Sequence, residues 1–126
     1  MYTILIADDD PINRRIIERS LKHLPALFIT ANDGLEALAR ALEHAPDLAI
    51  IDALMPRLDG WSVCRALRAD PLTREIELLM LSGLGDECEV TGRAAGADRF
   101  LAKPFSPDDL AQAARELLAR VRSLPS

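Results

Sequence analysis

Carboxylates gather at one point of this chain for no simple structural reason. The stretch "LIADDDPINRR" places Asp8, Asp9 and Asp10 directly after an apolar run, and Asp52 follows a second apolar run, "LAII". Asp10 followed by Pro11 is typical of a helix N-cap and a first-turn proline. Two more acids after the same run exceed what a helix cap needs. Asp8, Asp9 and Asp52 are therefore candidates for chemistry.

Carboxylates that share one pocket need a cation. Two carboxylates about 4 Å apart repel by about 4 kcal/mol at an effective dielectric of 20. Carboxylate oxygens with no His or Cys nearby favour a hard divalent ion, and we expect Mg²⁺ (or Mn²⁺), which leaves positions for phosphate oxygens. Ser82 and Lys103 follow two further apolar runs and supply a hydroxyl donor and an ammonium charge. Together these types predict a phosphoryl site in which one carboxylate attacks.

Short strands that alternate with amphipathic helices would bring these residues together. We predict strands at residues 3–7, 27–30, 47–52, 76–81 and 98–102, with helices in the gaps and after the last strand. This alternation is typical of an α/β fold with a parallel, doubly wound sheet. Ligands on such sheets bind beyond the carboxyl ends of the strands, where the strand order reverses. The candidate residues end the first, third, fourth and fifth strands.

Local signals mark where the helices begin, end and bury their side chains. The first helix is predicted to bury one apolar face, made of Ile12, Ile16, Ile17, Leu21 and Leu24. Capping residues predict the helix ends: boxes at Asp33 with Glu36 and at Asp86 with Glu89, starts at Asp59 and Ser106, and a stop at Gly96. His23 and His44 are predicted on the outward sides of the first two helices.

Composition excludes several function classes. The net charge is −5 and no basic run exceeds two residues, which argues against direct binding of nucleic acid. No apolar run approaches the roughly 20 residues that span a bilayer, and the N-terminus lacks a signal-peptide pattern, so we expect a cytoplasmic protein with no membrane partner. Cys64 and Cys88 have no metal-binding spacing and are interpreted as packing or surface residues.

With these motifs in place, the chain resembles the receiver domains of two-component response regulators, including the chemotaxis regulators. Four motifs carry the resemblance in order between about residue 3 and residue 121: "ILIADDDP", "LAIIDALMPRLDG", "LLMLSG" and "GADRFLAKPF". The resemblance implies a flavodoxin-like receiver fold with five strands in the order 2-1-3-4-5 and five helices. We expect the receiver domain over residues 1–122 and a tail or the start of a linker over residues 123–126.

The resemblance also implies a role for each candidate residue. Asp52 would be the phosphoacceptor, and its donor a phosphohistidine of a sensor histidine kinase or a histidine phosphotransfer protein. Asp8, Asp9, Asp52 and the backbone carbonyl of Leu54 would hold Mg²⁺. Ser82 and Lys103 would bind the phosphoryl group, and the bond between Lys103 and Pro104 is expected to be cis.

The expected outcome is a phosphorylation-activated signalling switch that catalyses only its own phosphorylation and dephosphorylation. Phosphorylation would draw Ser82 inward and let Phe100, the rotameric switch, turn into the space vacated. That change would alter the face made by the fourth helix, the fifth strand and the fifth helix. A downstream protein or an attached output domain would read it.

Four positions depart from the commonest pattern of receiver domains. Gly83 stands where alanine is usual, and Glu77 stands where proline often opens the fourth strand. Leu54 is apolar at a position where polar side chains often control attacking water. Phe100 replaces a tyrosine and keeps its bulk. None of these changes removes a group that the chemistry needs.

Three alternatives remain open from the residues. A haloacid-dehalogenase-type phosphatase shares the motif order Asp8-x-Asp10, Ser82, Lys103 and Asp108-Asp109, but it expects Thr or Val at position 12 and gives Asp52 no role. A flavodoxin-like electron carrier needs a phosphate loop that three aspartates oppose. Within the receiver interpretation, the chain is either a stand-alone receiver or a receiver module of a hybrid histidine kinase or multidomain regulator.

Overall fold

Strands and helices alternate along the chain, as the sequence predicts. The computed structural model describes residues 1–83 and 93–122. The strands are β1 (Tyr2–Ala7), β2 (Ala26–Ala31), β3 (Leu48–Asp52), β4 (Glu77–Ser82) and β5 (Arg99–Ala102). The helices are α1 (Pro11–Ser20), α2 (Gly34–His44), α3 (Gly60–Ala69) and a C-terminal helix (Pro107–Arg122), and residues 93–95 are also helical. Each predicted strand boundary lies within one residue of the observed one.

The five strands form one parallel sheet in the order β2-β1-β3-β4-β5. This order confirms the predicted one, and it reverses direction between β1 and β3. In the register of the sheet, Ala7 lies beside Ile51, and Asp52 lies beside Leu81. The residues that follow β1, β3 and β4 therefore reach the same edge of the sheet.

Two apolar layers hold the helices against the sheet. On one face, Leu5, Ile51 and Met80 cluster with side chains of α2 and α3. On the other face, Ile6, Ile50 and Leu79 cluster with side chains of α1 and the C-terminal helix. β3 and β4 are buried along their whole length, because they lie inside the sheet and between both layers. Each large aliphatic side chain buried in this way stabilises the fold by roughly 1.5–3 kcal/mol.

The predicted helix ends are confirmed where the structure describes them. Side-chain oxygens accept backbone N–H groups at four helix starts: Asp10 from Ile12, Asp33 from Glu36, Asp59 from Ser62 and Ser106 from Asp109. Gly96, at φ +109°, follows the helical residues 93–95 and confirms the predicted stop. Cys64 is buried in the core, as one of its two interpretations predicts. The predicted capping box at Asp86 and Glu89 lies outside the described residues, as does Cys88.

The prediction for the buried face of the first helix is partly wrong. Ile17 and Leu21 are buried, but Ile12 and Ile16 are 68% and 46% exposed. Ile12 and Ile17 point roughly 140° apart around a helix of 3.6 residues per turn. β1 and the C-terminal helix cover only the ridge of α1 that carries Ile17. His23 is exposed but lies in the turn after α1, and not on the helix as predicted.

No helix within residues 1–83 and 93–122 has the length and apolar character needed to cross a bilayer.

Candidate functional site

The candidate residues lie at the carboxyl edge of the sheet, where each is placed by the strand that precedes it. Asp8 follows β1, and its backbone N–H donates to Ala31 O at 3.1 Å, which extends the pairing of β1 with β2 by one residue. Asp52 ends β3. Lys103 follows β5, and its backbone N–H donates to Ser82 O at 2.8 Å. The hydrogen bonds of the sheet thus fix the backbone under each side chain.

Three carboxylates converge at this edge. Asp8, Asp9 and Asp52 each offer one oxygen, and these oxygens lie within 4.8 Å of one another. Asp8 and Asp52 are buried, whereas Asp9 is exposed to solvent. The convergence that the sequence predicts is therefore present. Among the residues that the structure describes, no other group of acidic, Cys and His side chains has this spacing.

Asp8 is held in place by the turn that begins α1. Its Oδ1 accepts the backbone N–H of Asp10 at 2.9 Å, and its backbone carbonyl accepts from Arg14 Nη1 at 2.7 Å. Its Oδ2 is buried and accepts no hydrogen bond from the described part of the chain. A buried carboxylate oxygen without a donor is costly, which favours a cation at this point. Arg14 was not among the predicted site residues, because nothing in the sequence indicates that its side chain reaches back to the carbonyl of Asp8.

Lys103 supplies the positive charge that faces the carboxylates. Its Nζ lies 3.3 Å from Asp52 Oδ1 and 3.8 Å from Asp8 Oδ2. The side chain is largely buried, and the peptide bond between Lys103 and Pro104 is cis. Asp52 Oδ1 also accepts a long hydrogen bond, 3.4 Å, from the backbone N–H of Leu54. One ammonium group thus forms ion pairs with two buried carboxylates.

The charge of the site is only partly balanced. Burial raises the pKa of Asp8, and the charge of Asp52 raises it further, against the hydrogen bond from Asp10. Burial also raises the pKa of Asp52, and Lys103 opposes that change. A divalent cation would relieve both effects. The oxygen ligands, their spacing and the Asp8 Oδ2, which accepts no hydrogen bond from the described residues, fit a hard ion such as Mg²⁺.

The remaining predicted residues lie around this centre. Ser82 is buried at the end of β4, beside Ala102 of β5 in the register of the sheet. Leu54 lies in the loop after β3 with its side chain exposed. Phe100 lies on β5 beside Met80 and is partly buried against the α2 and α3 layer. The sequence signal for all of them is their place just after, or within, an apolar strand.

A cavity of about 400 Å³ opens beside the carboxylates, between α1 and the segment that follows β5. Asp8 and Lys103 lie at its polar end, and Ile16, Pro104 and Phe105 form much of its apolar wall. The exposed side of Ile16 reaches the surface here. The site is therefore open to a large donor and bordered by apolar surface.

The pair Asp108-Asp109 does not join the site. Both residues are exposed in the first turn of the C-terminal helix, where the N–H of Asp109 donates to Ser106 Oγ. A haloacid-dehalogenase-type phosphatase needs this acidic pair beside the first aspartates. The observed position argues against that alternative.

Comparison with known proteins gives a consistent picture. The family model described as "Response regulator receiver domain" matches residues 4–115. The chain is 43% identical over 122 residues to the "Probable transcriptional regulator ycf27" of Cyanophora paradoxa, covering 95% of this chain and 49% of that protein. It is 36% identical over 126 residues to the "DNA-binding dual master transcriptional regulator RpaA" of Synechocystis, covering 99% and 52%. The chain thus spans about half the length of these relatives.

Solved structures agree in fold over nearly the whole chain. The signal receiver domain of a histidine kinase from Syntrophus aciditrophicus has a TM-score of 0.91 at 32% identity, covering 100% of this chain and 96% of that one. The receiver domain of a sensor histidine kinase from Pseudomonas aeruginosa has a TM-score of 0.85 at 29% identity, covering 94% and 98%. That second structure has a magnesium ion coordinated in its active-site cleft.

Proposed function

Because the chain belongs to the response regulator receiver domain family, we propose that Asp52 accepts a phosphoryl group from a histidine kinase or histidine phosphotransfer protein. The convergence of Asp8, Asp9, Asp52 and Lys103 at one edge of the sheet carries this proposal. It gives one carboxylate a nearby ammonium group and two further carboxylates for a cation. The proposed receiver unit takes in residues 1–122, followed by a tail or linker.

In the proposed reaction, one oxygen of Asp52 attacks the phosphorus of a phosphohistidine. The new bond joins that oxygen to phosphorus, the bond from phosphorus to the imidazole nitrogen breaks, and the imidazole nitrogen keeps the electron pair. Mg²⁺, when held by Asp8, Asp9, Asp52 and the carbonyl of Leu54, supplies positive charge to the phosphoryl oxygens. Lys103, whose Nζ lies 3.3 Å from Asp52 Oδ1, adds a second positive charge.

The product is proposed to act as a switch. A phosphoryl group adds about two negative charges at neutral pH and three acceptor oxygens. Lys103 then pairs with the phosphoryl group, and the hydroxyl of Ser82 moves inward to donate to it. Phe100 turns into the space that Ser82 leaves, which alters the surface of β5 and of the neighbouring helices. The position of Phe100 at the border of the core supports this role, because its ring is only partly buried.

A protein donor fits the surface beside the site better than a small donor does. Ile12 and Ile16 expose apolar side chains on α1. This is unusual, because isoleucines on an amphipathic helix normally face the core. Arg15 and Arg19 lie on the same surface. An apolar ridge with basic neighbours is suited to pack against a protein that presents its phosphohistidine to Asp52.

The output partner is proposed from the relatives alone. The Synechocystis relative is a DNA-binding regulator, and this chain spans about half of it. Two arrangements fit the proposal: an output domain joined after the receiver unit, or a separate downstream protein that binds the altered face. The full reading frame distinguishes them, because only the first arrangement continues into a second domain.

Mass spectrometry of the intact protein tests the proposed reaction. Incubation with acetyl phosphate or a phosphohistidine protein should add one phosphoryl group to the wild type, only with Mg²⁺ present, and peptide mapping should assign it to Asp52. Asp52→Asn should remain unlabelled. Asp10→Asn is the matched control, because Asp10 caps α1 and lies outside the carboxylate cluster.

Two outcomes would contradict the proposal. Labelling of Asp52→Asn at another aspartate, with loss of the label only in Asp8→Asn, is the result expected of a phosphatase that uses Asp8 as nucleophile. Absence of any label on the folded wild type, with both kinds of donor and saturating Mg²⁺, would also contradict it.

A further inference from the structure

The loop between β3 and α3, residues 53–59, is here called the β3–α3 loop. It contains Leu54, whose carbonyl belongs to the proposed cation site. Hydrogen bonds close the base of the loop: Ala53 N donates to Leu81 O at 2.8 Å, and Gly60 N donates to Ala53 O at 2.9 Å. The base is therefore fixed to β4 and α3. In the outer part of the loop, Leu58 N donates to Pro56 O at 2.8 Å, and Leu58 packs against the α2 and α3 layer.

Gly34, the first residue of α2, provides the first support. A Cβ atom at this position would lie 1.9 Å from Leu58 O and 2.6 Å from Leu58 Cβ. The loop thus packs directly on the bare Cα of Gly34. Since the nearest atom belongs to the backbone of the loop, any larger residue at position 34 has to push the loop away from α2.

Asp33 provides the second support. Its Oδ1 accepts the backbone N–H of Glu36 at 2.8 Å and caps α2, while its Oδ2 lies 3.2 Å from Arg57 Nε. Arg57 has φ +71°, a left-handed conformation that is costly for a residue with a side chain. Exposed ion pairs of this kind add little stability. The pair does, however, connect the start of α2 to the outer part of the loop.

Gly60 brings the start of α3 close to the beginning of the loop. A Cβ atom there would lie 2.4 Å from Asp52 O and 2.8 Å from Ala53 Cα. The loop is therefore held between two helix N-termini that contact it through glycines. One contact is on the backbone of Asp52 itself, and the other is on Leu58.

We propose that the N-terminus of α2, through Asp33 and Gly34, is a positioning element that fixes the β3–α3 loop so that the Leu54 carbonyl and the Asp52 carboxylate face one cation. Asp33 and Gly34 act through Arg57 and Leu58 and touch no reacting atom. This inference rests on the proposed function, because it concerns the cation that the proposed reaction uses.

Isothermal titration calorimetry with MgCl₂ tests the inference. Gly34→Ala should weaken Mg²⁺ binding by roughly 10-fold, the lower end of the range for residues that orient metal ligands. Gly83→Ala is the matched control: the nearest heavy atom to a Cβ there is Lys103 Cβ at 3.9 Å, an ordinary contact, so its Mg²⁺ affinity should equal that of the wild type. Urea unfolding without Mg²⁺ measures the stability of each variant separately.

Arg57→Ala gives a second test that does not depend on the folding of Gly34→Ala. Removing a positive charge near the site would, by charge alone, strengthen Mg²⁺ binding. Loss of the loop position predicts the reverse, a weaker affinity. Asp33→Asn keeps a capping side chain and should weaken binding too, and the double variant Asp33→Asn with Arg57→Ala should add little to either single change.

The results separate this inference from the proposed function. If the wild type binds Mg²⁺ and is labelled at Asp52, but Gly34→Ala and Arg57→Ala bind Mg²⁺ as tightly as the wild type or more tightly, the positioning role is wrong and the proposed function stands. A change in unfolding stability alone, with Mg²⁺ affinity unchanged, also overturns the positioning role. If the folded wild type itself binds no Mg²⁺, the proposed function fails and this inference fails with it.

Discussion

Replacing Glu77 by glutamine is expected to make the chain progressively more stable than the wild type as the pH rises from 5 to 8. Glu77 opens β4 at the edge of the sheet opposite the carboxylate site, and its side chain is only 11% exposed. Arg120 Nη1 lies 3.4 Å from Glu77 Oε2 and 3.6 Å from Asp98 Oδ1. Asp98 in turn accepts from Arg68 Nη2 at 2.6 Å and from the backbone N–H of Leu78 at 2.8 Å.

Burial raises the pKa of Glu77 from 4.5 to about 7; the charge of Asp98 contributes in the same direction, and Arg120 opposes it. The folded chain therefore holds this proton more tightly than the unfolded chain does. The resulting stabilisation is complete below pH 4.5 and is lost as the pH rises through 7. The full shift corresponds to about 3 kcal/mol. Because Glu77 lies at the edge of the sheet, solvent screens the repulsion from Asp98 and reduces the effect, so we expect about 1–3 kcal/mol.

Urea unfolding without Mg²⁺ at several pH values between 5 and 8 measures this effect. The quantity of interest is the difference in free energy of unfolding between Glu77→Gln and the wild type, because subtraction cancels the raised pKa values of Asp8 and Asp52 that both chains share. Glutamine has no proton to lose, so the difference should grow in favour of the variant as the pH rises. Glu75→Gln is the control, since Glu75 is exposed near the same end of the sheet.

A difference that stays constant from pH 5 to pH 8 would refute the reasoning, because it would mean that Glu77 ionises in the folded chain as it does in the unfolded one. A difference that moves in favour of the wild type would show that the attraction of Arg120 outweighs burial. A similar pH dependence in Glu75→Gln would show that general charge repulsion, and not the burial of Glu77, is the cause.

Three further predictions address the donor surface, the core and the buried thiol. Ile12→Asp should leave labelling by acetyl phosphate unchanged but slow transfer from a phosphohistidine protein by roughly 10-fold, as expected for the loss of about 1.4 kcal/mol of contact energy. Equal slowing with both donors would contradict the proposed surface. Leu79→Ala should lower the free energy of unfolding in urea by about 2–5 kcal/mol, whereas Leu72→Ala, at a side chain 75% exposed, should change it by less than about 0.5 kcal/mol. Burial raises the pKa of Cys64 to about 12, so peptide mapping should find this thiol unmodified by iodoacetamide at pH 8 in the folded chain and modified in urea.

The residues at the carboxyl edge of the sheet could be predicted from the sequence, because the carboxyl ends of parallel strands all lie at the same edge. Asp8, Asp52, Ser82 and Lys103 each stand at or just after the end of an apolar run, so the strand assignments alone place them together. The exact strand register was not needed. An error of one residue at a strand end does not move its last residue away from that edge.

The buried ridge of α1 could not be predicted in the same way. The same four-residue spacing separates Ile12 from Ile16 and Ile17 from Leu21. Periodicity therefore predicts burial equally for both pairs. The packing of the C-terminal helix decides between them. That packing depends on residues almost a hundred positions later in the chain.

The contacts that support the β3–α3 loop also could not be predicted from the sequence. The capping box of Asp33 with Glu36 predicts a helix start here, and the start is observed. Packing also requires a glycine at position 34, because a Cβ atom there would lie 1.9 Å from the Leu58 carbonyl oxygen. A sequence pattern reports the local conformation that a glycine permits, but not what packs against its Cα.

The two edges of the sheet show why an acidic cluster alone does not define a cation site. Glu77 and Asp98 at one edge face two guanidinium groups, those of Arg68 and Arg120, so the described charges balance within the chain. At the opposite edge, the carboxylates of Asp8, Asp9 and Asp52 converge, and Lys103 Nζ lies 3.8 Å from the first and 3.3 Å from the third. Among the described residues, the positive charge at this second edge is smaller than the negative charge, and a divalent ion can supply the difference. The balance of charge, more than the number of acids, therefore separates the proposed reaction site from a structural ion-pair network in the same sheet.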